Sequence, residues 1–83
     1  MATVFTYEIQ LCDPDEIKED IASEYRRWET VRSGLDDSGE SPERLAERLL
    51  VEYLAEEPKA RDRVRVAIRR YDELLHVAYP SGG

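Results

Sequence analysis

The chain is poor in the residues on which several common kinds of chemistry depend. Its 83 residues include one cysteine, one histidine and four glycines. A single cysteine excludes a disulfide framework and a cysteine-based zinc site. The histidine, His76, has no serine or cysteine partner in a pattern typical of nucleophilic catalysis, and the isolated glycines form no phosphate-binding loop. We therefore expect no enzymatic activity, no cofactor and no metal ion.

Long apolar runs are also missing. No stretch approaches the roughly 18 apolar residues of a membrane span. The first residues lack the basic and apolar regions of a signal peptide. We therefore expect a cytoplasmic protein without a membrane partner. The length fits one small domain, and 41% hydrophobic with 37% charged residues indicates a folded chain rather than a disordered one.

Basic residues are too few to balance the acidic ones. The chain has 12 lysines and arginines against 19 aspartates and glutamates, a net charge of −7. Residues 1–40 hold 11 of the acids and 4 of the bases, whereas residues 41–83 hold 8 of each, so the excess lies in the first half. This charge argues against direct binding of nucleic acid or of an anionic membrane.

Hydrophobic periodicity predicts one strand followed by three helices. Within residues 2–12, apolar and polar side chains alternate from Phe5 to Leu11, which is typical of a strand. Asp13-Pro14 and Ser41-Pro42 each place a capping residue before a proline, as at the start of a helix, and Gly34 marks an end. The predicted elements are a strand over 2–12, helices over 14–33, 42–57 and 58–79, a loop over 34–41 and a flexible tail over 80–83. The expected fold is a single helix-dominated α+β domain of order β-α-α-α.

Two details accompany this prediction. Residues 63–68 also alternate, so a strand is an alternative to helix there. The predicted core is Phe5, Tyr7, Ile9, Leu11, Ile17, Ile21, Tyr25, Trp28, Leu45, Leu49, Tyr53, Val64, Ile68, Tyr71 and Leu75.

One strand alone leaves its backbone hydrogen-bonding groups unpaired. Either a second strand lies in a segment predicted to be helical, or the partner strand comes from another molecule. A two-fold antiparallel pairing of residues 3–11, with Thr6, Glu8 and Gln10 facing outward, would give a homodimer. The strand-helix-helix order resembles ribbon-helix-helix repressors, whose paired strands enter the DNA major groove. The outward residues here include no base, so the resemblance implies a dimeric regulatory module without a clear DNA-binding strand.

Acidic side chains cluster at the start of the first predicted helix. The helix dipole favours acids only in the first turn, so it leaves Glu19, Asp20 and Glu24 unexplained. We therefore expect a protein-interaction module that docks its acidic face on a basic surface of a protein partner. The predicted contact residues are Asp15, Glu16, Glu19, Asp20, Glu24, Asp36 and Asp37. If that surface normally holds nucleic acid, the module would be a nucleic-acid mimic, similar in size and charge to phage-type inhibitors of nucleases.

Arginines recur every four residues in the third predicted helix. Arg61, Arg65 and Arg69 would share one flank of it. They either pair with the acids of the first helix or form a second patch for an anionic partner.

The last three residues, Ser81-Gly82-Gly83, form a distinct motif. They resemble the tail of ubiquitin-like modifiers and sulfur carriers, whose terminal glycine carboxylate is activated and joined to another group. The resemblance implies a carrier or modifier that is activated at Gly83.

Overall fold

The structure, a computed structural model, describes residues 4–80. Its elements are β1 (Phe5–Cys12), α1 (Pro14–Lys18), β2 (Trp28–Asp36), α2 (Pro42–Glu56), β3 (Val64–Arg70) and β4 (Glu73–Ala78), with 3₁₀ turns at Ser23–Tyr25 and Pro58–Ala60. The strands form one antiparallel sheet in the order β2-β1-β3-β4. Residues 4–80 therefore form a four-stranded sheet with one main helix and one short helix, and the predicted fold of one strand and three helices is wrong.

The helix predicted over 14–33 holds only for its first turn. α1 ends at Lys18, and Asp20 has a φ of 60°, which a right-handed helix cannot contain. From Trp28 onward the chain is β2, whose register against β1 runs to Asp36, so the predicted loop 34–41 loses its first three residues to a strand. The second strand that β1 requires lies in the segment predicted to be helical. Pairing with β1 satisfies the backbone N–H and C=O groups of both strands. This stabilisation comes from a distant segment, so the local periodicity of the sequence does not indicate it.

The helix predicted over 58–79 is replaced by the β3–β4 hairpin. Val64, Val66 and Ile68 alternate as a strand does, and all three are buried. Tyr71, which has a φ of 57°, lies in the turn that reverses the chain between β3 and β4. The apparent helical spacing arises because β4 has an extra residue, Leu75, opposite the Ile68–Arg69 step, which shifts its alternation.

α2 agrees with the helix predicted over 42–57. The Ser41 hydroxyl accepts a hydrogen bond from the Arg44 amide at 3.3 Å, and Pro42 occupies the first turn. One side of α2 packs on the sheet and forms the core. The buried core residues are Phe5, Ile9, Leu45, Ala46, Leu49, Leu50, Tyr53, Ala60, Val64, Val66 and Ile68.

Several residues of the predicted core lie elsewhere. Tyr25 and Tyr71 are 77% and 89% exposed, because neither lies on the face that packs against α2. Ile17, Ile21 and Trp28 are only partly buried, since the helix that would have buried them does not form.

β1 lies inside the sheet, with β2 on one side and β3 on the other. Both of its edges are hydrogen-bonded within the chain, so the predicted pairing of residues 3–11 between two molecules is wrong. Thr6, Glu8 and Gln10 do share one face of β1, but that face is the side of the sheet away from α2. The architectural resemblance to ribbon-helix-helix repressors depends on that pairing and on a strand-helix-helix order, so it is also wrong.

Candidate protein-interaction surface

The segment between β1 and β2, residues 13–27, is here called the acidic connection. It contains six acids and three bases over 15 residues. Five of the six carboxylate residues are exposed, and Glu16 is half-buried. The acids are Asp13, Asp15, Glu16, Glu19, Asp20 and Glu24. A short helix, a left-handed residue and a 3₁₀ turn spread them over an irregular surface rather than along one helix face.

Two carboxylates fix the backbone of the acidic connection at its ends. Asp13 caps α1 by accepting a hydrogen bond from the Asp15 amide at 2.9 Å. The Glu16 carboxylate accepts the Arg27 amide through both oxygens, at 3.0 and 3.3 Å. Both carboxylates bind backbone N–H groups rather than cationic side chains, so the connection is held in place without neutralising its charge.

An arginine side chain fixes the rest of the connection internally, and the Trp28 side chain attaches it to the sheet. Arg26 Nε donates to the Ile21 carbonyl and Trp28 Nε1 donates to the Ser23 carbonyl, each at 2.7 Å. The ring of Tyr79 meets the Trp28 ring edge-on, with centroids 6.2 Å apart. These contacts place the 3₁₀ turn beside the C-terminal end of β4.

Five of the 13 acids elsewhere in the described chain are paired with its own arginines. Such ion pairs are Arg69–Glu8, Arg48–Asp36, Arg48–Glu40, Arg48–Glu52 and Arg32–Glu56, with N–O distances of 2.7, 3.1, 2.8, 3.3 and 2.8 Å. Within residues 4–80, no lysine or arginine forms an ion pair with an acid of the acidic connection. The acidic connection therefore has six acids against three bases, and its carboxylates form no ion pair within the described chain.

The structure separates the seven predicted contact residues into two groups. Asp15, Glu16, Glu19, Asp20 and Glu24 lie together in the acidic connection. Asp36 and Asp37 lie at the opposite end of β2, about 25 Å away along a strand of this length. Hydrogen bonds from Ser38, and the nearby Arg48 guanidinium, hold the pKa of Asp36 below its usual value. These two residues are thus not brought to the same surface.

The predicted arginine stripe does not form, because its residues are not on a helix. Arg61 precedes β3, whereas Arg65 and Arg69 lie on the sheet face away from α2. Arg65 Nε donates to Gln10 Oε1 and Arg69 Nε donates to Glu8 Oε1, both at 2.7 Å. Two of the three arginines are thus held in contacts across neighbouring strands.

Arg65 also stacks on an aromatic ring. Its guanidinium carbon lies 4.1 Å from the centroid of Trp28. Burial alone would raise the pKa of Tyr79, but hydrogen bonding to Ser23 and to Arg65, with the charge of Arg65, lowers it. Polar and aromatic contacts therefore order this sheet face, which is the side away from α2.

One feature of the surface was missed in the sequence, a groove between α2 and β4. The sequence indicates this groove only weakly, because Val51 is a single exposed apolar residue on α2. Its place in a groove becomes evident only once β4 is known to lie at the border of the sheet. The motif at Gly82-Gly83 lies outside the described residues.

The described part of the chain gives no sign of a metal site or a membrane span. No three histidine, cysteine, aspartate or glutamate residues among positions 4–80 are grouped so that they could hold a metal ion. Over the same range, no helix has both the length and the apolar character that a bilayer crossing needs. Comparison with protein-family models, curated proteins and solved structures finds no match for this chain.

Proposed function

We propose that the protein is a non-enzymatic interaction module whose acidic connection docks on a basic surface of a partner protein. The supporting observation is the clustering of unpaired acids, since six acids lie within 15 residues, five of them are exposed, and none forms an ion pair with a lysine or arginine of residues 4–80. Clustered like charges repel one another, so leaving them unpaired costs folding stability. A cationic partner offsets that cost on binding and associates faster because of the field.

We further propose that the partner surface is one that also binds nucleic acid, and that the module acts as an inhibitor in the cytoplasm. Basic protein surfaces of sufficient extent commonly bind phosphate backbones. The irregular path of the acidic connection, through a short helix and a 3₁₀ turn, presents carboxylates in several directions, as a surface that competes with phosphates requires.

A charge-neutralised variant tests the docking. It combines Asp15→Asn, Glu16→Gln, Glu19→Gln, Asp20→Asn and Glu24→Gln. Asparagine tolerates the left-handed backbone of Asp20, and a glutamine at position 16 keeps an acceptor for the Arg27 amide, so the fold is preserved. The matched control removes five exposed acids elsewhere, in Glu29→Gln, Asp37→Asn, Glu57→Gln, Asp62→Asn and Asp72→Asn.

The measurement is capture of proteins from the native host by each immobilised form, identified by mass spectrometry. We expect the wild type and the control to retain the same basic protein at low salt and to lose it at about 0.5 M salt, where charges are screened beyond about 4 Å. The neutralised variant should not retain it. Added nucleic acid should displace it, because both compete for one surface. Capture that is indifferent to salt, or equal for the neutralised variant, would refute the docking proposal.

A further inference from the structure

β4 is a border strand of the sheet. It pairs with β3 on one side, and no strand of the described chain lies on its other side. A border strand presents backbone N–H and C=O groups that an incoming extended chain can pair with. The edge of β4 is therefore a template for one additional strand.

Apolar side chains flank this edge on both sides of the sheet. On the α2 side, a groove of 590 Å³ is lined by Leu50, Val51, Leu54 and Ala78, and Val51 is 64% exposed. On the other side, the register places Leu74 and Val77 on the face that Arg69 and Ala67 occupy, and Leu74 is 49% exposed. Exposed apolar area beside an open edge is typical of a contact surface.

The charge around the groove is negative. Glu43 and Glu47 of α2 line it, both are exposed, and neither forms an ion pair with a lysine or arginine in residues 4–80. Asp72 and Glu73 lie exposed where β4 begins. Arg61 also lines the groove, but it is already engaged in an interaction of its own.

We propose that the β4 edge and the adjoining groove bind an extended segment of a partner protein in which apolar residues alternate with lysine or arginine. Side chains of an added strand point alternately to the two sides of the sheet. Those on the α2 side lay their aliphatic stems across the groove and place their cations at Glu43 and Glu47. Those on the opposite side are apolar and pack against Leu74 and Val77.

The same charges argue against a second copy of the chain as the occupant. A two-fold antiparallel pairing of two β4 edges keeps both α2 helices on the same side of the joined sheet. Glu43 and Glu47 of each copy would then approach the α2 helix of the other, where like charges repel. A cationic segment meets the opposite potential. This surface is distinct from the acidic connection, so its binding is tested separately from the proposed function.

The probe is a short synthetic peptide of alternating valine and lysine, titrated into the full chain by calorimetry and by amide NMR. We expect shifts confined to β4 and the groove-lining turns of α2. Glu43→Gln with Glu47→Gln should weaken binding about five- to tenfold, because two partly screened charge contacts are lost. The matched control, Glu16→Gln with Glu19→Gln, removes the same charge from the acidic connection and should change the affinity less than about twofold.

Two control peptides separate strand addition from simple charge attraction. A valine–glutamate peptide should not bind. A valine–lysine peptide with N-methylated backbone amides should bind far more weakly, because it cannot complete the strand ladder. Equal binding of either control peptide overturns the proposal, as does equal weakening by the two double variants or an absence of binding at about millimolar peptide.

Two other occupants would each give a different result. A dimer detected by light scattering, with β4 amides shifting on dilution, would make a second copy the occupant. A chain shortened to end at Pro80 that binds the peptide about tenfold more tightly would make residues 81–83 the occupant, since competition by a tethered segment lowers apparent affinity. Either result overturns the assignment to a partner protein.

Discussion

The phenol ring of Tyr7 lies over Gly34 where β1 and β2 pair. The two residues are register partners. A Cβ atom at Gly34 would lie 2.6 Å from the Tyr7 hydroxyl oxygen and 2.8 Å from Cζ. The ring thus occupies the space that a side chain would take. Gly34 therefore lies within the paired part of β1 and β2, not at the end of a helix as its sequence context predicts.

Replacing Gly34 by alanine should destabilise the protein by about 1–2 kcal/mol, because the Tyr7 ring must move out of its packed position. Urea unfolding followed by far-UV circular dichroism measures the change. The control is Ser33→Ala, an exposed neighbour on the same strand, which should stay within about 0.5 kcal/mol of the wild type. A Gly34→Ala protein as stable as its control would contradict the contact.

The parts of the fold that could be predicted from sequence are those that a local pattern of residues is enough to identify. β1 alternates over its whole length, and α2 combines a cap at Ser41 with a broad apolar side. β2 and the β3–β4 hairpin were missed because short strands with an extra residue place apolar side chains at nearly helical spacing. Their pairing is decided by distant segments, which a local pattern does not contain.

The candidate surfaces also differ in how far they depend on distant segments. Asp15, Glu16 and Glu19 could be grouped from sequence because they are near neighbours along the chain. The separation of Asp36 depends on β2 being an extended strand. The groove beside Val51 depends on which strand lies at the sheet border, a property of the topology alone.

Tyr71 is an unusual residue for its position in the β3–β4 turn. Its φ of 57° costs a non-glycine residue about 1 kcal/mol, and its side chain is 89% exposed, so it gains little packing. Tyr71→Gly should therefore raise the free energy of unfolding by about 0.5–1 kcal/mol. The neighbouring Asp72→Gly, where φ is not positive, should give no gain. A Tyr71→Gly protein less stable than the wild type would indicate that the tyrosine ring packs in solution.

The stacking of Arg65 on Trp28 should contribute to stability beyond the separate hydrogen bonds of the two residues. A double-mutant cycle with Trp28→Leu and Arg65→Met should give a coupling free energy of about 0.5–1 kcal/mol in urea unfolding. As a control, Trp28→Leu combined with Arg44→Met, an exposed arginine on α2, should give a coupling near zero. Additive effects in the Trp28–Arg65 cycle would show that the two side chains do not interact energetically.

Stability should fall in acid because Glu8 is paired in the folded state. Burial of Glu8 alone would raise its pKa, but hydrogen bonds from Arg69 and Thr30, with the charge of Arg69, lower the pKa below the ordinary 4.5. A group whose folded pKa is depressed stabilises the protein above its unfolded pKa and loses that contribution as pH falls through the folded value. The free energy of unfolding should therefore decline below about pH 4.5.

The variant Glu8→Gln isolates this contribution. It should be less stable than the wild type at neutral pH, because Arg69 loses its anionic partner, and the two stability curves should converge as pH falls through the lowered pKa of Glu8. Glu29→Gln on the adjacent strand removes an exposed acid without an ion pair in the described chain, and at neutral pH it should change the free energy of unfolding by less than about 0.5 kcal/mol. Urea unfolding at a series of pH values provides the comparison. The contrary result is a constant gap between the Glu8→Gln and wild-type curves down to the lowest pH. Glu8 would then have the same pKa in the folded and unfolded states, and its contact with Arg69 would not be an ion pair in solution.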